Sequence, residues 1–189
     1  STHNPGLVYA SISGFGQDGP LADRPGFDQI AQGMGGLMSI TGEPGRGPMR
    51  VGIPIADLCA GLFAAQAIFI ALLERSKSGK GQWVQTSLLQ AQAFMLDFQA
   101  ARYLMNGDVP KQAGNNHPTS IPTGVFKTSD GFINLAVAGE QIWKRLAETL
   151  QKSEWCDDER FAINESRSQH RDLLNAEIEK ITKTQTSTY

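Results

Sequence analysis

Asp57 is the only charged residue between Ile53 and Leu73, in the stretch GIPIADLCAGLFAAQAIFIALL. A carboxylate near the start of an apolar helix can do two things. It can accept hydrogen bonds from the free amides of the first turn and complement the helix dipole. It can also act as a nucleophile: a carboxylate that attacks an acyl group forms a mixed anhydride and splits one hard step into two easier ones. Such a group must stay ionised while its surroundings stay dry, and a helix N-terminus offsets the desolvation. Both roles use the same geometry, so Asp57 alone does not choose between them.

Other candidates surround this residue in sequence. The loop GFGQDGP, from Gly14 to Pro20, holds a G-x-G but no third glycine at dinucleotide spacing, so it is a weak nucleotide fingerprint. Its glycines serve turn chemistry or line a ligand; Phe15, Gly16 and Gln17 are the residues that would do the lining. GKG at 79–81 follows a helix rather than opening one and is no phosphate loop. Arg46 and Arg50 lie in the loop before Asp57. They could bind a substrate carboxylate or a pyrophosphate, or stand as solvated charges.

Several chemistries find no support. His3, His117 and His170 are scattered, and none shares a local motif with a serine or cysteine. Cys59 and Cys156 form no C-x-x-C pair and have no histidine nearby, so neither a metal site nor a disulfide is expected. Trp83, Trp143 and Trp155 read as core. With 17 Lys and Arg against 19 Asp and Glu, the net charge of −2 gives no electrostatic case for nucleic acid or an anionic membrane. A hydrophobic content of 40% and a charged content of 19% fit a soluble globular protein, expected in the cytoplasm. The apolar run Leu58–Leu73 is short for a membrane span, and no signal peptide is visible.

The elements that must position these residues follow from periodicity and punctuation. Leu7–Ile12 reads as a core strand, and Gly14–Gly26 as a demanding loop. Phe27–Leu37 reads as a helix with Asp28 in its first turn. Thr41–Gly52 is a second Gly/Pro loop. The long helix runs from about Ala56 to Arg75, apolar almost all round and closed by Gly79. Gln82–Thr86 is a strand, and Leu88–Met105 a helix ending at Asn106-Gly107. Residues 107–122 form a linker. A hairpin then turns at Ser129-Asp130-Gly131. Glu140–Gln151 and Arg171–Thr182 are amphipathic helices, the second with Leu173, Leu174, Ile178 and Ile181 inward. The polar tail is expected to fray. The fold class is α/β: a partial Rossmann-like parallel sheet with helices over 1–106, followed by a smaller α+β domain over 123–189. An opening that enters a strand at once suggests a piece of a longer protein.

Three stretches together resemble one family. YASISGFGQDGPLADRPGFDQIAQGMGGLMSITGEPGRGP, GIPIADLCAGLFAAQAIFIALLERSKSGKGQWVQTSL and GVFKTSDGFINLAV look like the family III CoA-transferases, the CaiB/BaiF proteins. DERFAINESRSQHRDLL is similar to the family's D-x-R-F-x-x-N-x-x-R region. The resemblance implies that Asp57 is the nucleophile, passing through an acyl-aspartyl anhydride and an aspartyl-CoA thioester. It implies coenzyme A as a substrate with no permanently bound cofactor, a small carboxylic acid as the other partner, and a homodimer of interlocked subunits. Asp28 and Gln32 become candidates for the pocket, beside Phe15, Gly16, Gln17, Arg46 and Arg50. A racemase branch of the family carries His-Asp where this chain has Phe27-Asp28, and phenylalanine takes no proton. Family members also begin earlier and continue past Tyr189. A weakly active relative kept as a binding or dimerisation module is therefore the rival reading.

Overall fold

The structure, a computed structural model, describes residues 3–188. The chain divides into two compact units, Ser1–Gln112 and Ala113–Tyr189.

In the first unit, β1 (Tyr9–Ser13) pairs in parallel with β2 (Trp83–Ser87), in a register that sets Tyr9 against Trp83 and Ser13 against Ser87. The crossover contains α1 (Asp28–Met34), α2 (Leu37–Ile40) and α3 (Ile55–Ser78). Two helices follow β2, α4 (Leu88–Phe94) and α5 (Asp97–Asn106). A helix that returns the chain between parallel strands runs against them, so the first turn of α3 lies at the carboxyl edge of the sheet. Gly79 closes α3 as its sequence implies, at φ 70°, with its N–H bonded to the Arg75 carbonyl at 2.8 Å.

Three expectations for this unit are corrected. The helix read as Leu88–Met105 is broken at Met95 and Leu96, where Asp97 takes a φ of 47°, a conformation aspartate tolerates better than most residues. The α3 helix is not buried all round. Its alanine face, with Ala56, Cys59, Ala60, Ala64 and Ala71, is inside, while Leu58, Leu62, Phe69, Ile70 and Leu73 are exposed. Small residues let backbones approach closely, and α1, α3 and α4 meet through Ala31, Ala56, Cys59, Ala60, Leu88 and Ala91. By length and composition α3 could cross a bilayer; here its small-residue face packs on α1, α4 and both strands. Finally, β1 is not a core strand, because Tyr9 and Ile12 are exposed on a sheet of two strands.

In the second unit, β3 (Thr123–Lys127) and β4 (Phe132–Ala136) form the antiparallel hairpin. They are followed by α6 (Glu140–Thr149), a 3-10 turn at Ser153–Cys156, α7 (Asn164–Gln169) and α8 (Arg171–Thr182). Ile121, Phe126, Val137, Trp143, Trp155, Phe161, Leu174 and Ile178 make the core. Leu173, expected inward, is exposed. The tail is tied down rather than frayed up to Ser187: the Ser129 N–H bonds the Gln185 carbonyl at 2.8 Å, and the Ser187 N–H bonds Asp130 Oδ1 at 2.7 Å.

A buried cation organises this core. Arg167 is 1% exposed. Its guanidinium reaches both oxygens of Glu140 at 2.8 and 3.0 Å and donates to the carbonyls of Ile121, Phe161 and Ala162 at 2.8 to 3.1 Å. It also lies 4.8 Å from the Trp143 ring centre. The arginine that ends the D-x-R-F-x-x-N-x-x-R pattern is thus a structural bolt.

Arg167→Ala is expected to cost about 3 kcal/mol in urea unfolding, because it strands three carbonyls and half of an ion pair. The hydrogen bond from Arg167 holds the Glu140 carboxyl below its usual 4.5. A depressed folded value means the stabilisation is full above 4.5 and is lost as pH falls through the lower value. The gap between wild type and variant should therefore narrow in acid, and an equal gap at neutral and acid pH would contradict the assignment.

Candidate functional site

Asp57 sits in the first turn of α3, one residue after the fully buried Ala56. The N-cap position, Pro54, offers no side-chain bond to the helix. The cap comes from elsewhere in the chain. Asp28, buried at the start of α1, accepts a hydrogen bond from the Ala56 N–H on Oδ1 at 2.9 Å. Its Oδ2 accepts from Gln32 Nε2 at 2.8 Å and from Arg50 Nη2 at 3.3 Å. Gln32 completes the joint: its Oε1 accepts from the Val51 N–H at 2.8 Å, and its Nε2 also reaches the Ile53 carbonyl at 3.3 Å. The entry of the chain into α3 is thus bolted to α1 by one carboxylate and one carboxamide.

This settles the capping question raised by the sequence. Asp28 does the capping, and no donor among the described residues bonds the Asp57 carboxylate. Asp57 keeps only its favourable position in the helix field. The expectation that its surroundings are dry is not met. The residue is exposed, and so are Gly52, Ile53, Pro54 and Leu58 around it. The physical reason is that the partners of this turn, Asp28 and Gln32, lie beneath it, and no other described element stands over it.

The glycine loop lies at the same carboxyl edge of the sheet. Gly14 and Gly26 touch backbone to backbone, so a Cβ on either would collide with the other's Cα. The Gly14 carbonyl accepts from the Leu89 N–H at 3.1 Å, which ties the loop to the start of α4. Gly16 is buried at φ 103°, with its N–H on Ser13 Oγ at 3.0 Å. Phe15 is partly buried and Gln17 exposed. The structure therefore joins Asp28, Gln32, Arg50 and the turn of Asp57 in one network, and sets residues 15–17 in a separate loop. Gln32 is fully enclosed, with its amide engaged inside the chain. Arg46 is exposed in the second glycine loop.

Two residues not singled out from the sequence matter here. Gln112 Nε2 donates to the Thr41 and Gly47 carbonyls at 2.6 and 2.7 Å and so closes the loop that carries Arg46. Gln92 on α4 is fully buried against Gly35, and neither of its amide atoms has a partner among the described residues. Neither glutamine stands in a local pattern that would have marked it. Elsewhere, a cavity of about 150 Å³ lies within the second unit, walled by Ile133, Leu135, Leu146, Leu150 and Ile181. No titratable side chain lines it, so it offers no group for proton or acyl transfer. No cluster of three metal-ligating side chains occurs among the described residues.

Comparison with known proteins follows the same outline. A family model described as CoA-transferase family III matches residues 1–189. The chain is 43% identical to a succinate–glutarate CoA-transferase of Agrobacterium fabrum, over 97% of this chain and 45% of that protein. It is 37% identical to an acetyl-CoA:oxalate CoA-transferase of Acetobacter aceti, over 94% of this chain and 46% of that one. Among solved structures, a CaiB/BaiF family protein from Brucella suis superposes with a TM-score of 0.81 at 40% identity, covering 99% of this chain and 50% of that chain. A protein from M. tuberculosis superposes at 0.85 with 27% identity, over 99% and 48%. The chain spans about half the length of the curated relatives it matches.

The division of labour in the first turn of α3 has a measurable consequence. Asp28→Ala is expected to destabilise the chain by about 1–3 kcal/mol, from the lost cap and the polar partners left behind. Asp57→Asn should change stability by about 1 kcal/mol or less. Hydrogen exchange at the Ala56 amide should accelerate in the first variant and not in the second. The reverse pattern would return the capping role to Asp57.

Proposed function

This chain belongs to the family III CoA-transferases, and from that premise we propose that Asp57 is the nucleophile of a CoA transfer between two carboxylic acids. The observation that carries the reading is an ionisable carboxylate in a helix first turn whose capping work is done by Asp28. A carboxylate with no bond to a described residue to break is free to attack. The Asp57 oxygen adds to the thioester carbonyl of an acyl-CoA, and CoA leaves as its thiolate. The thiolate then attacks the aspartyl carbonyl of the anhydride; the donor acid leaves as a carboxylate, and CoA remains as a thioester on Asp57. An acceptor carboxylate attacks that thioester, releases the thiolate and forms a second anhydride. The thiolate attacks the acceptor's carbonyl, which yields the new acyl-CoA and restores Asp57.

Each step develops negative charge on a carbonyl oxygen near the amino end of α3, where the helix field is favourable. The exposed turn is flanked by apolar Ile53 and Leu58. A bound acyl-CoA that covers these side chains would exclude water as it arrives and lower the local dielectric around the reacting atoms. We place the reaction in the cytoplasm and assign coenzyme A the role of substrate rather than resident cofactor. Phe15, Gly16 and Gln17 are the proposed lining at the sheet edge. The exposed apolar side chains of the first unit, Phe94, Leu104 and Met105 among them, support a homodimer as the working form.

A second reading is a family member retained as a binding or dimerisation module, and the exposure of Asp57 favours it. Incubation with succinyl-CoA followed by hydroxylamine separates the two. The enzyme reading expects a hydroxamate on Asp57, found by peptide mass mapping and absent from Asp57→Asn. A wild-type protein that yields no such adduct under saturating succinyl-CoA contradicts the nucleophile and leaves the module.

A further inference from the structure

We propose that the second unit holds a binding pocket for one small uncharged apolar molecule, about the size of a single aromatic ring. The pocket is the cavity of about 150 Å³ within that unit, and it stands apart from Asp57 and the reaction assigned to it.

The walls form a second apolar layer. Ile133 and Leu135 on β4, Leu146 and Leu150 on α6 and Ile181 on α8 pack against the aromatic core. The same five side chains line the cavity, and none of them is fully buried. One side is closed by residues 185–187, which are strapped to the hairpin turn. The Gln185 carbonyl accepts from the Ser129 N–H and Oγ at 2.8 and 2.9 Å, and the Ser187 N–H donates to Asp130 Oδ1 at 2.7 Å. The strap is polar, so it closes the space without supplying the apolar side chain that would fill it.

The lining selects its occupant. It includes five hydroxyl side chains, and each is already engaged within the chain. Thr128 Oγ1 donates to Asp130 Oδ1 at 2.9 Å, Thr149 Oγ1 to the Arg145 carbonyl at 2.8 Å, and Thr182 Oγ1 to the Lys127 carbonyl at 2.7 Å. Ser187 Oγ donates to Asp130 Oδ2 at 3.2 Å, and Thr186 Oγ1 shares a bond of 3.2 Å with Thr188 Oγ1. That leaves the half-buried Gln185 carboxamide as the lining group with donors to spare. A buried water needs two to four polar partners, so the apolar floor stays dry. A carboxylate entering here would give up its hydration for one neutral amide, a losing exchange. An uncharged apolar molecule gives up nothing polar and gains contact with isoleucine and leucine on several sides.

The opening argues against a protein partner. Thr128 and Thr182 are buried, while Thr149, Thr186 and Ser187 are exposed. The cavity therefore meets solvent through a rim of hydroxyls, with no apolar ring on which another chain could seat itself.

The test uses the whole purified protein with labelled isoleucine and leucine methyl groups. Toluene is compared with benzoate, the same ring carrying a carboxylate in place of the methyl group. The methyl signals of Ile133, Leu135, Leu146, Leu150 and Ile181 should shift to saturation with toluene and stay in place with benzoate. The exposed Leu62 of α3 should not follow them. Toluene should also raise the melting temperature, because it binds the folded state. Leu150→Trp and Ile133→Trp each put a ring into the cavity. Whichever gives a cooperative melt should bind toluene about tenfold more weakly or worse. No shift at the five residues, an equal shift with benzoate, a shift shared by Leu62, or full affinity in a folded tryptophan variant overturns the proposal. Signals that move with protein concentration instead of toluene would give the cavity to a second copy of the chain, and overturn it equally.

Discussion

The hydrogen bond from the Ala56 N–H to Asp28 is the constraint on which the site depends. The first amides of any helix lack intrahelical partners, and a buried unmade donor is expensive. Most helices solve this with their own N-cap residue. Here α3 begins after Pro54, which provides no side-chain acceptor, and the acceptor is supplied from α1, 28 positions earlier in the chain. One carboxylate thereby satisfies the helix end, fixes the crossing of α1 and α3, and anchors Arg50. The acidic residue that is nearest in sequence, Asp57, is relieved of structural duty.

Close packing of small residues makes that arrangement possible. The meeting of α1, α3 and α4 is built of alanines, a cysteine and one leucine. The gap between Gly35 and Gln92 has no room for a further side-chain carbon. Such an interface buries little apolar area per residue, so the unit depends more on geometry than on bulk. Leu58, Leu62, Phe69, Ile70 and Leu73 of α3, with Phe98, Leu104 and Met105 of α5, face outward. The second unit works the other way. Its core is aromatic, with Trp143 and Trp155 stacked 6.1 Å apart and Arg167 laid over Trp143.

Local pattern made much of the fold legible. Both strands of the parallel pair, α3 with its Gly79 stop, the hairpin, α6 and α8 follow from periodicity and turn residues, because these are short-range properties. The break in the helix after Phe94 was not visible, since it turns on a single aspartate adopting a left-handed backbone. Long-range polar bonds were less accessible still. Asp28 and Gln32 drew attention only through family resemblance, and nothing near Asp28 announces that it caps a helix far along the chain. Arg167 stands in a charged stretch, yet it is buried because the carbonyls and Glu140 that receive it come from three separate segments. The exposure of Asp57 was misjudged for a related reason. An apolar helix sequence shows that burial is favourable, but it does not show which face the rest of the chain covers.

The central claim is that Asp28, and not Asp57, holds the amino end of α3. The most direct measurement is the scalar coupling that passes through a hydrogen bond from an amide nitrogen to the carbon of its acceptor. In the isotope-labelled protein, the Ala56 nitrogen is expected to couple to the side-chain carboxyl carbon of Asp28, with no amide of α3 coupling to that of Asp57. A coupling to the Asp57 carboxyl carbon, with none to Asp28, would contradict the account.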